Sequence, residues 1–191
     1  MNLKLVFRKV WSNDIARRSF TKNGFDGVLT VIGVLIALFL SGVTTPKIIV
    51  FSCIGSGIAM CVSGLWGAYV TESAERRIRV MKLEKHLLRG LKGTSITGRS
   101  QEASLIVALV DGLTPLILTI ILIIPFFLTP FISLETAYYS SLGASALIII
   151  FLGVIIARLS KTSLLVNVIK MLVAGVTVVL LMYFIELLKF I

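Results

Sequence analysis

Apolar residues fall into five long blocks separated by short polar stretches. They run from Phe25 to Val43, about Ile48 to Val70, Leu105 to Thr129, Ala137 to Ala157 and Leu164 to Leu188. Nineteen residues at 1.5 Å each measure about 28 Å, close to the thickness of a bilayer's hydrocarbon core. The pattern therefore predicts an all-α, polytopic membrane protein with five transmembrane helices. Ahead of the first block, Leu3, Val6, Phe7, Val10 and Trp11 interleave at helical spacing with Lys4, Arg8, Lys9, Arg17 and Arg18. That spacing predicts an amphipathic helix over residues 1–22, lying in the headgroup region. After the second block the helical period continues through Ile78, Leu83, Leu87 and Leu91. Residues 71–104 are expected to form a short helical extension between helices two and three. Its break is expected at Gly93, before a loop from Thr94 to Ser100.

Composition supports one membrane domain over 1–191: 57% of the residues are hydrophobic and the mean hydropathy is +1.02. The net charge of +10 does not call for a nucleic-acid partner, because the basic residues flank apolar blocks. Six precede the first block, eight lie in 71–104 and two in 158–163, against Lys47 and Lys189 on the other side. Positive charge is retained in the cytosol. The N-terminus and residues 71–104 are therefore expected to be cytosolic, the C-terminus external and the protein multi-pass in the cell membrane. Residues 1–24 lack an apolar core followed by a small-residue cleavage site, so no signal peptide is expected. Cys53 and Cys61 lie in one block and match neither a disulfide framework nor zinc spacing. The single histidine, His86, and the lack of a Ser-His-Asp set or phosphate loop argue against an enzyme and against a cofactor.

Two acids draw attention. Asn23-Gly24-Phe25-Asp26-Gly27-Val28-Leu29-Thr30 puts a carboxylate at the mouth of the first block, and Asp111-Gly112-Leu113-Thr114-Pro115 repeats the device 85 residues later. A charge at the centre of a membrane helix costs about 2.5–3.5 kcal/mol, and less near its ends. The echo suggests a weak parallel repeat of blocks one–two and three–four. Asp26 fits a cation ligand; it also fits a residue that starts a helix through the macrodipole. Met60, midway along the second block, is a soft ligand or a packing residue. Glu72 and Glu75 share a helix face and suit a divalent cation, or else pair with Arg76 and Arg79. Asp111 and Lys170 each lie about six residues into their blocks, roughly 9 Å deep. Opposite charges at one depth are expected to form a structural ion pair, unless Lys170 snorkels to the interface. Pro115 and Pro125 kink the third helix, and Tyr138 and Tyr139 open the fourth at an interface. The second block is rich in small residues, among them Cys53, Gly57 and Cys61 at i+4 spacing.

These motifs resemble the vacuolar iron transporter family, in particular its prokaryotic relatives. The likeness rests on Asn23-Gly24-Phe25-Asp26-Gly27, on Ser63-Gly64-Leu65-Trp66-Gly67-Ala68-Tyr69 and on Glu72-Ser73-Ala74-Glu75-Arg76. It extends from about Arg17 onward. The resemblance implies a homodimer that exports iron(II), manganese(II) or similar divalent cations from the cytosol against protons. It implies an ion path between the two first spans, with Asp26 on it and Met60 beside it. In two places the chain departs from the family: Gly67-Ala68-Tyr69 stands where Gly-Glu-Tyr is usual, so the glutamate is missing, and the cytosolic segment is short and more basic than acidic. A non-transporting membrane scaffold or regulator on the same fold is the alternative those departures favour.

Overall fold

The structure, a computed structural model, describes residues 14–88, 90 and 95–188, with side chains described for 15–88, 90 and 102–188. Within them the chain forms five helices and no strand: α1 (Asp14–Leu40), α2 (Pro46–Leu87), α3 (Ser95–Phe127), α4 (Leu134–Ser160) and α5 (Leu164–Leu187). Each is long and apolar enough to cross a bilayer, which suggests a multi-pass membrane protein. The first four helices extend past their apolar blocks at one end or both, because each added residue gains one backbone bond on a helix already nucleated. Thus α2 is one helix of 42 residues, about 63 Å long.

Two boundaries differ from expectation. The loop expected from Thr94 to Ser100 is helical from Ser95 onward. Gly98 costs a helix interior roughly 1 kcal/mol, and the helix absorbs it. The separate interfacial helix expected over 1–22 lies largely outside the described residues, and its last part, 14–22, continues without a break into the first span. Asn23 helps carry the helix through, its amide donating to Ser19 O at 3.1 Å. The break expected at Gly93 lies outside the described residues. Helix ends are otherwise set locally. Gly42 takes φ +68° after α1, so that Gly42 N–H donates to Phe39 O and Val43 N–H to Leu38 O, the glycine-ended stop that satisfies the last carbonyls. Ser133 caps α4, its Oγ accepting from Thr136 N–H at 3.2 Å.

The chain divides into two compact units. One holds 14–23 of α1, 61–87 of α2 and 95–114 of α3; the other holds 24–40, 46–60, 115–127, α4 and α5.

In the first unit α2 meets α3 backbone to backbone. A Cβ on Gly112 would lie 2.5 Å from Cys61 O and 2.8 Å from Leu65 N, and one on Gly64 would lie 3.0 Å from Asp111 O. Only glycine permits this approach, the usual way helices associate in a lipid-like interior.

The second unit buries Val28, Val31, Ile32, Leu35 and Ile36 of α1, at the 3–4 spacing of one helix face. Gly27 takes the same part here that Gly112 takes in the first unit, since its Cβ would fall 2.8 Å from Pro115 Cα and Cβ. The repeated Asp-Gly motif therefore repeats its glycine's role. Ser141 Oγ donates to Leu122 O at 2.7 Å, tying α4 to α3. Tyr138, expected at an interface, is buried between Phe39 and Phe126 with edge-to-face ring centroids 5.2 and 5.1 Å away; Tyr139 is the exposed one of the pair. Side chains on α5 such as Ile169, Val173, Val176 and Leu180 stay exposed, as a lipid-facing helix requires.

Replacing Gly112 by Ala is expected to destabilise the folded protein by about 1–3 kcal/mol, the usual cost of overpacking. Gly143→Ala, where nothing lies within 4 Å of the new methyl, should cost nothing measurable. Thermal unfolding of the two variants in one detergent makes the comparison.

Candidate functional site

Asp26 lies twelve residues inside α1, not at a helix start. The macrodipole acts only within the first turn, so it does not account for this acid. The carboxylate is exposed, and the backbone carbonyl of the same residue accepts from Thr30 Oγ1 at 2.8 Å. From Phe25 to Val43 it is the sole charged residue. Met60, on α2 in the same unit, is half-buried.

Glu72 and Glu75 belong to the other unit. Each is met by the arginine one turn on. Glu72 Oε1 lies 2.7 Å from Arg76 Nη2 with both side chains mostly buried, while Glu75 Oε2 accepts from Arg79 Nη2 at 3.2 Å on the exposed side. The ion-pair alternative for these two acids is thus the arrangement observed. Among the described residues no three His, Cys, Asp or Glu side chains come together as a metal group. The four residues expected to hold a divalent cation are split between units, Asp26 and Met60 in one, Glu72 and Glu75 in the other. Cys53 and Cys61 are buried free thiols, and His86 is exposed.

Asp111 stands sixteen residues into α3 and is half-buried. Its Oδ1 accepts a hydrogen bond from the Asn23 amide of α1, which also donates to Ser19 O within its own helix. Lys170 is exposed on α5, in the other unit, and its expected pairing with Asp111 rests on matching depth alone. Asn23 was legible in sequence as a neighbour of Asp26, but not as a partner of Asp111. Its spacing of 88 residues carries no periodic signal.

The two glutamates predict different costs. Glu75→Gln should change stability by less than about 0.5 kcal/mol, as exposed pairs do. Glu72→Gln removes one partner of a mostly buried pair and should cost about 1–3 kcal/mol. Denaturant titration of both variants in the same micelle tests the contrast; equal costs would contradict it.

The chain is similar to the uncharacterized protein MJ0645 of Methanocaldococcus jannaschii, with 29% identity over 188 residues. That alignment covers 97% of this chain and 95% of the archaeal one. No family model matches the chain, and no solved structure matches it.

Proposed function

We propose that the chain is a membrane transporter that exports divalent metal cations such as iron(II) or manganese(II) from the cytosol, in exchange for protons. The observation that carries the reading is Asp26, an exposed acid well inside α1 and the sole charge from Phe25 to Val43, where starting the helix does not explain it. A carboxylate there attracts a cation and replaces part of its hydration shell, with the half-buried Met60 thioether as a softer donor. The resemblance to vacuolar iron transporters, carried by Asn23 to Gly27 and by Ser63 to Arg76, supplies the substrate class.

Two donors in one protomer do not make a cation site, so the reading includes a homodimer in which a second Asp26 completes it. A face of α2 supports this. Gly55, Ala59, Ser63, Gly67 and Thr71 recur every fourth residue, all exposed, and nothing lies within 4 Å of a Cβ placed on Gly55 or Gly67. Small residues favour another helix over lipid, in contrast to the bulky exposed residues of α5. The basic residues before the first apolar block and after the span of α2 support, within the same proposal, a cytosolic N-terminus and an external C-terminus.

A non-transporting scaffold or regulator is the second reading. It is favoured by the arginine partners of Glu72 and Glu75, which leave neither acid waiting for a metal.

Purified protein in liposomes, with a metal-sensitive and a pH-sensitive dye inside, separates the two. Divalent flux with opposing proton movement is expected in the parent, and Asp26→Asn should reduce the flux to that of protein-free liposomes. The same preparation should be dimeric. Absence of flux for every divalent metal tried would leave the scaffold reading, and full flux in Asp26→Asn would remove Asp26 from the path.

A further inference from the structure

We propose that the Tyr138 hydroxyl of α4 and the Cys53 thiol of α2 hold a buried water molecule between them in the second unit. This water stands apart from transport, since neither residue is among those assigned to the cation.

A tyrosine brought into an interior usually finds a partner for its O–H, because burial has removed the bonds that water gave it. Tyr138 is 2% exposed, and its buried hydroxyl oxygen finds no hydrogen-bond partner among the described residues. The two rings beside it do not supply one. Phe39 and Phe126 meet the tyrosine ring edge-to-face, which accounts for the buried ring and leaves the hydroxyl unaccounted for.

The fully buried Cys53 thiol is the titratable group that acts on this hydroxyl electrostatically. The side-chain bond found at Cys53 ends on its backbone carbonyl, from Ser56 Oγ at 2.8 Å, and not on its sulfur. Two polar groups close enough to feel each other, yet not bonded, are the arrangement that one water bridges. Hydroxyl and thiol can each donate or accept, so a water can accept from one and donate to the other. Ser141 stands one turn beyond Tyr138 on the same side of α4, fully buried. It donates its proton to Leu122 O at 2.7 Å, and its own oxygen keeps a lone pair to accept with. Three partners are the number a buried water usually has.

The ligand is neutral rather than a metal ion. Among the described residues Cys53 belongs to no group of three His, Cys, Asp or Glu side chains. Access is short as well. Tyr138 lies four residues into α4 and Cys53 seven into α2, about 6 and 10 Å from their helix starts, so water has little apolar depth to cross. Once bound, it ties α2 to α4 within this unit, whereas Ser141 ties α4 to α3.

X-ray radiolysis of the full chain in lipid nanodiscs reads such a water directly. The hydroxyl radicals form from the water itself and oxidise the side chains it touches. Cys61 and Phe126 are the controls, a buried thiol and a buried ring. With each rate normalised to the unfolded chain, Cys53 and Tyr138 are expected to be oxidised several-fold faster than Cys61 and Phe126. Cys61 is the more exposed of the two thiols, 7% against 0%, so exposure alone gives the opposite order. Tyr138→Phe is expected to slow Cys53 oxidation to the rate of Cys61 and to lower the melting temperature. Rates for Cys53 and Tyr138 no greater than those of the controls would overturn the proposal. So would a higher melting temperature in Tyr138→Phe, the sign of a hydroxyl that had no partner to lose. Should that variant not accumulate, the rates in the parent protein decide alone.

Discussion

The contact of Gly112 with the α2 backbone between Cys61 and Leu65 is the constraint on which the first unit turns. Between membrane helices there is no hydrophobic gain to drive association, since lipid tails are as apolar as leucine. Close backbone approach and van der Waals contact must do it, and they work only where no Cβ intervenes. Gly64 on α2 and Gly112 on α3 remove the obstacle from both sides. The carboxyl of Asp111 is then held by a rigid backbone, and a short amide such as Asn23 can reach it from α1. In the second unit Gly27 against Pro115 and Gly57 against Thr119 use the same physics.

That arrangement separates two acids that look alike in sequence. Asp26 and Asp111 each precede a glycine that packs at close range. The glycines are equivalent in role; the acids are not. Asp26 is exposed on α1, while Asp111 is half-buried and bonded to Asn23. A helix repeats its facing every 3.6 residues, so one residue's shift turns a side chain by about 100°. A local motif thus does not determine which acid faces a neighbouring helix.

Charge in the extension of α2 follows a simpler rule. Glu72 with Arg76 and Glu75 with Arg79 are four apart, glutamate first, the orientation that favours pairing on one helix. Four residues on one helix need no tertiary structure to meet. Their pairing accounts for both acids, and it is why metal binding there is not required to explain them.

The helical class and the five apolar spans were legible in the chain itself, because hydropathy and length are properties of each segment alone. So were the i+4 ion pairs and the small-residue character of α2. The extents of the helices were less so. Residues 95–104 and 14–22 are polar enough to read as loop or surface helix, yet both continue a span, because helix propagation depends on neighbours already folded. The burial of Tyr138 between Phe39 and Phe126, the exposure of Asp26 and the Asn23–Asp111 bond were decided only by tertiary packing. Each depends on which face of a helix meets another helix. That choice is set by contacts between residues tens of positions apart, for which a single sequence holds no periodic record.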